Sequence, residues 1–158
     1  MTRRYLGPFP NPGFAKQVNE VMETSLVGLI SGEIGADYLG VPLGAAKGEG
    51  KVVDVWLSLG DSGRDDGDAL SVELDVKING TSCLTTKPEI SGEAGAASTN
   101  KTTKEDDDTG VTQAVIDTSN NEYVAGDVFT YDLTLTRTAT PTTEMANAVI
   151  VVELEPNN

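Results

Sequence analysis

Four carboxylates crowd one glycine-rich stretch, GDSGRDDGD, at Asp61, Asp65, Asp66 and Asp68. Carboxylates gathered in this way are the material of a calcium site, which needs about six to eight oxygens. The stretch lacks the DxDxDG order and the closing glutamate of an EF-hand loop, so a solvated loop is the preferred reading and calcium the weaker one. A pair such as Asp65 with Asp68 also has the residue types for acid–base hydrolysis. Such chemistry needs an apolar pocket to drive the two pKa values apart, and the surrounding glycines and charges offer none. Histidine is absent from the chain, which removes the commonest general base, metal ligand and partner of a serine or cysteine nucleophile. The single cysteine, Cys83, permits no intrachain disulfide and reads as a structural thiol. The expectation is a protein that is not an enzyme, with no catalytic residue, no cofactor and no metal beyond the weak calcium candidate.

The formal charge of −14 disfavours nucleic acid and anionic membrane as direct partners. No run of 18 apolar residues occurs, and the first 20 residues lack the apolar core of a secretory signal, so no passage through a membrane is expected. The charge is unevenly spread. Residues 1–16, MTRRYLGPFPNPGFAK, carry Arg3, Arg4 and Lys16 and no acid, a balance of +3, which leaves −17 on the remainder. Pro8, Pro10 and Pro12 resist helix and favour extended chain, so this stretch reads as an N-terminal arm, either a disordered tail or a segment that docks on a partner, with residues 17–158 as the folded domain. Large side chains in an aromatic-poor protein are concentrated on that arm. Arg3, Arg4, Tyr5, Phe9 and Phe14 are therefore the candidate docking residues.

The domain that carries the arm is read from period-two patterns. Leu70, Val72, Leu74, Val76 and Ile78 alternate with Ser71, Glu73, Asp75 and Lys77, which is a half-buried strand. It runs into Asn79-Gly80, the pair that best fits a type I′ hairpin turn. A two-residue turn pairs Ile78 with Thr81, Val76 with Cys83 and Leu74 with Thr85, and turns Cys83 inward. A three-residue turn with a bulge would bury Leu84 instead. In Lys51–Leu59 the inward set is Val53, Val55, Leu57 and Leu59, with Trp56 beside Asp54 and Ser58 on the other face. Two readings stand for Trp56: cover for a loop or the end of the sandwich, or a subunit contact.

Residues 25–30 are read as strand, although the wider 17–30 stretch also fits a short amphipathic helix, and 38–43 as a brief edge strand. Residues 91–110 are polar and charged, an insertion unable to bury a core, with Glu105–Asp108 at a solvated tip. A short strand is expected at 111–116. Phe129, Tyr131, Leu133 and Leu135 form a second long inward face opposed by threonines, residues 138–147 a loop, and Ala148, Ile150, Val152 and Leu154 a last strand. Val149 and Val151 make that strand apolar on both sides, which places it centrally or beneath a covered face. Short strands separated by turn signals give an all-β fold, an antiparallel β-sandwich of jelly-roll or immunoglobulin-like type with an extended N-terminal arm.

Three phrases, DVKINGTSCLTTKP at 75–88, AGDVFTYDLTLTRTATPTTEMAN at 125–147 and VVELEP at 151–156, together resemble a group of tailed-bacteriophage virion proteins that includes capsid decoration or cement proteins. The resemblance covers roughly residues 50–156. It implies a non-enzymatic β-sandwich made in the host cytoplasm that binds the outside of the capsid and reinforces it. The implied partners are the major capsid protein and other copies of itself in a homotrimer. The alternative within the same resemblance is a head-fibre or tail-associated sandwich that binds host carbohydrate, with Trp56 or Tyr123 as a stacking platform.

Overall fold

A computed structural model describes residues 24–67, 69–95, 98–105 and 109–157. The arm of residues 1–16, with Arg3, Arg4, Tyr5, Phe9 and Phe14, lies outside the described residues, as does Asp68. The described residues form strands β1 (Ser25–Glu33), β2 (Tyr38–Ala45), β3 (Gly50–Arg64), β4 (Leu70–Ile78), β5 (Thr81–Ser82), β6 (Leu84–Thr86) and β7 (Glu89–Ser91). They continue through β8 (Lys101–Thr102), β9 (Val111–Thr112), β10 (Val115–Ile116), β11 (Glu122–Tyr123), β12 (Val128–Arg137) and β13 (Thr143–Pro156). Every pairing is antiparallel.

Two sheets face each other. The first runs β1-β13-β3, with β8 and β11 on different stretches of the far edge of β3; the second runs β2-β12-β4-β7-β9, with β5 also on β4. A small ladder, β6 with β10, stands apart from both. The inner faces fill one core, with Val52, Val55, Leu57, Leu59, Ala148, Ile150 and Val152 from the first sheet and Leu70, Val72, Leu74, Val76, Ile78, Phe129, Tyr131 and Leu133 from the second. This is an antiparallel β-sandwich. Gly28 permits the close approach of its edge, since a Cβ there would stand 2.8 Å from Leu43 and 3.3 Å from Tyr131.

The hairpin forms as its turn chemistry dictates. Asn79 and Gly80 take φ values of 49° and 85°, Ile78 pairs with Thr81, and the Cys83 N–H donates to the Val76 carbonyl at 3.0 Å. Cys83 is wholly buried, and burial pushes its thiol up to about 12. Beyond it the expected register ends. Thr85 does not face Leu74; β6 peels away to pair with β10, and the Leu74 N–H donates to the Pro88 carbonyl at 2.9 Å. Cys83 and Leu84 are both buried because the chain turns off the sheet between them.

Three further expectations change. Val52, not Val53, faces the core, because a bulge opposite Glu153 and Leu154 inserts an extra residue at Val53 and leaves it 38% exposed. The 91–110 insertion is partly built into the fold: β8 pairs with Ser58 and Leu59 of β3, and Lys101 and Thr103 are buried. Strand β13 starts at Thr143, so the preceding loop spans only 138–142. The strand lies between β1 and β3, so of the two readings of its doubled valines the central position is the one observed, and Val149 and Val151 stand on its outer face.

Candidate interaction surface

The two outer faces of the sandwich differ in kind. On the second sheet, β4 and β12 present Glu73, Lys77, Thr130, Asp132, Thr134 and Thr136, with Lys77 paired to Asp132. Lys87 reaches Glu73 at 3.5 Å and Asp75 at 3.4 Å. That part of the second sheet is a solvated face of threonines and mutually satisfied charges, while Leu39 of β2 and Val128 at the start of β12 are exposed apolar side chains of the same sheet.

The first sheet presents apolar side chains instead. Its register aligns Val27, Val151 and Trp56 in one cross-strand row. The next row is Leu29, Val149, Ser58 and Thr102, and the row on the other side is Ser25, Glu153 and Asp54. Leu29 is 72% exposed and Val27 53% exposed. An aromatic side chain set among exposed aliphatic ones within a polar rim is the composition of a protein contact surface.

Trp56 is held rather than free. Lys104, in the segment after β8, sets its Nζ 4.3 Å from the centre of the indole ring. The same ammonium donates to Asp54 at 2.5 Å and lies 3.9 Å from Glu153, and the bond to Asp54 raises its pKa. The Lys104 backbone is fixed by its N–H to the Thr102 hydroxyl at 3.2 Å and by Gln113, whose side-chain amide donates to the Lys104 carbonyl at 2.9 Å. The indole thus serves as the floor for one lysine and keeps part of its ring open beside Val151. Tyr123, by contrast, is buried edge-to-face against Phe129 at 5.4 Å, so it offers no stacking platform.

The acidic loop disperses its carboxylates. Asp61 accepts from the Asn147 amide, Asp65 from the Gly67 N–H, and Asp66 from Arg64 and the Gly95 N–H. The Arg64 bond, then that from Gly95, holds Asp66 below the usual carboxylate range. Among the described residues no three carboxylate, cysteine or histidine side chains stand together as a metal site. One cleft among those residues lies at an end of the sandwich, lined by Leu26, Ala45, Tyr123, Phe129, Leu154 and Pro156. Its volume of about 160 Å³ is below the roughly 300–1,000 Å³ of usual small-molecule sites.

Of the residues singled out from sequence, Trp56 therefore sits in a surface, Asp61 lies within β3, which runs on to Arg64 where a loop was expected, and ties it to Asn147 of β13, and Asp65 and Asp66 act as turn and loop fasteners. The apolar partners of Trp56 on β1, Val27 and Leu29, were missed. Their signal was present in the unbroken apolar run of 26–30 and in the paired valines of β13, but only the register aligns them with Trp56. Comparison with protein-family models, with curated proteins and with solved structures finds no match to this chain.

Proposed function

We propose that this chain is a non-enzymatic structural protein of a tailed-bacteriophage virion, one that binds the outside of the capsid and reinforces it. The observation that supports this reading best is the asymmetry of the sandwich: an apolar, tryptophan-bearing face on one sheet and a threonine-rich, charge-satisfied face on the other. A protein that cements a shell needs one surface to adhere and one to face water. The resemblance to decoration proteins falls on β4 with its hairpin, on β12 and on β13, the strands that build the core, so it is carried by the scaffold.

In this reading the major capsid protein is the partner and homotrimers are the bound form. Trp56 with Val151 and Val149 makes the apolar contact, and Arg3, Arg4, Tyr5, Phe9 and Phe14 of the arm add a basic, aromatic grip. Binding of the full chain to shells stripped of it tests the assignment. Replacing Trp56 by alanine should weaken binding at every salt concentration, because the contact is apolar. Replacing Arg3 and Arg4 together should weaken it mainly at low salt. Binding that is indifferent to both changes would refute this arrangement.

A further inference from the structure

Among the described residues, strand β1 is a sheet edge with its backbone open. The Leu154 N–H donates to the Thr24 carbonyl at 2.7 Å, which makes Thr24 and Leu154 a hydrogen-bonded pair. Such pairs alternate along an antiparallel ladder, so Leu26 and Gly28 also turn their backbone groups toward β13. Ser25, Val27 and Leu29 then direct N–H and C=O away from the sheet, and none of these groups has a partner among the described residues.

Long exposed edges are normally blunted by lysine, proline or a bulge. The opposite edges follow that rule. The far side of β3 carries only the two-residue strands β8 and β11, the second sheet ends in the two-residue β9, and β2 contains Pro42 and two register shifts. Within β1, Ser25 to Gly32 holds no charge and no proline, and its only irregularity falls between Ile30 and Glu33, beyond the open stretch.

We propose that this edge pairs with the same edge of a second copy, antiparallel about a two-fold axis centred on Val27. The self-complementary register of the edge selects this occupant, and its lack of charge admits it. Two chains of −14 repel wherever acidic surfaces meet, and Ser25–Leu29 is a stretch where two copies meet with no like charges opposed. The symmetry is self-complementary: Val27 faces Val27 of the second copy, and Ser25 faces Leu29. The row Trp56, Val151, Val27 then continues without a break into the same row of the other copy, doubling the apolar face. This contact does not depend on the virion assignment.

Cysteine substitution in the full-length chain tests it. Val27→Cys would place two thiols on a hydrogen-bonded cross-strand pair with Cα atoms about 5.5 Å apart, within the roughly 4.4–6.8 Å that a disulfide spans. The native Cys83 is fully buried and does not compete. Val27→Cys should cross-link into pairs under mild oxidation far faster than Val124→Cys, a control at another exposed valine. Adding Leu29→Lys should abolish that cross-linking with the melting temperature unchanged. Association should hold or strengthen as salt is raised from about 50 to 500 mM. Equal cross-linking at 27 and 124, or cross-linking that persists in the Leu29→Lys variant with its fold intact, would overturn the proposal. Association that salt dissolves would overturn it in favour of the basic residues 1–16 of one copy docking on the acidic body of another.

Discussion

Replacing Lys101 by methionine should unfasten the 91–110 segment from the sandwich. The Lys101 side chain is 6% exposed, and its ammonium donates to Glu93 at 2.5 Å and to the Thr109 carbonyl at 2.5 Å, with the Ser91 carbonyl at 3.5 Å. One lysine thus joins both ends of the loop beside β8. Two charge-assisted bonds contribute roughly 1.5–3 kcal/mol each. Removing the ammonium also removes its desolvation penalty, which is several kcal/mol for a buried ion. Glu93 is 32% exposed and can recover water, so the loss falls short of that for a fully buried pair. A net loss of about 2 kcal/mol is expected. With a urea m-value near 2 kcal/mol/M, the unfolding midpoint should fall by about 1 M. Hydrogen exchange should locate the damage: the Ser91 and Gly92 amides, bonded to Gly110 and Leu70, should lose protection, while those of β12 should change only with global stability. A stability change below about 0.5 kcal/mol, or a gain, would refute the view of Lys101 as the fastener.

The β3 bulge predicts opposite outcomes at neighbouring valines. Val52→Ala should lower stability by about 1–3 kcal/mol, and Val53→Ala by less than about 0.5 kcal/mol; equal losses in urea titrations would place the bulge elsewhere. Cys83 should resist aromatic disulfide reagents at pH 8 in the native state and react at once in denaturant, because its thiol is buried and titrates at about 12. Stability should be level between about pH 5.5 and 8, since the chain has no histidine. Asp66, Asp117 and Asp127 are held below the usual carboxylate range by Arg64, Asn120 and the Val124 N–H respectively. Burial works against Asp132, yet Lys77 and the Gly40 N–H keep it low as well. Their contribution is present above about pH 3.9 and is lost as pH falls through the lowered folded values. Lys77 and Lys104, raised by Asp132 and Asp54, contribute fully below about pH 10.4 and lose that contribution as pH rises through their folded values. A melting temperature that moved by more than about 5 °C between pH 5.5 and 8 would contradict this scheme.

Strict alternation made β4 and β12 readable, and the Asn79-Gly80 turn set the connection from β4 to β5, because side-chain period and turn geometry are local properties. The apolar doubling at Val149 and Val151 allowed either a central strand or a covered outer face, and β13 is central. What local pattern cannot carry is an event decided by a partner strand. The bulge at Val53 exists because Glu153 and Leu154 pair around it, and the departure of Thr85 from Leu74 because Val115 and Ile116 offer β6 another ladder. Lys101 reads as one more charge in a polar insertion, and only the fold brings Glu93 and Thr109 to it. The contact surface was half legible: Trp56 stood out by rarity, whereas Val27 and Leu29 needed the register with β13 to join it.

The most direct test of the proposed capsid assignment is the copy number of this protein in purified virions of the phage that the proposal takes to encode it, by quantitative mass spectrometry against the major capsid protein. The expected result is hundreds of copies at a fixed ratio to the shell subunit. A few copies would move the protein to a tail or fibre, and its absence from the particle would contradict the virion reading outright.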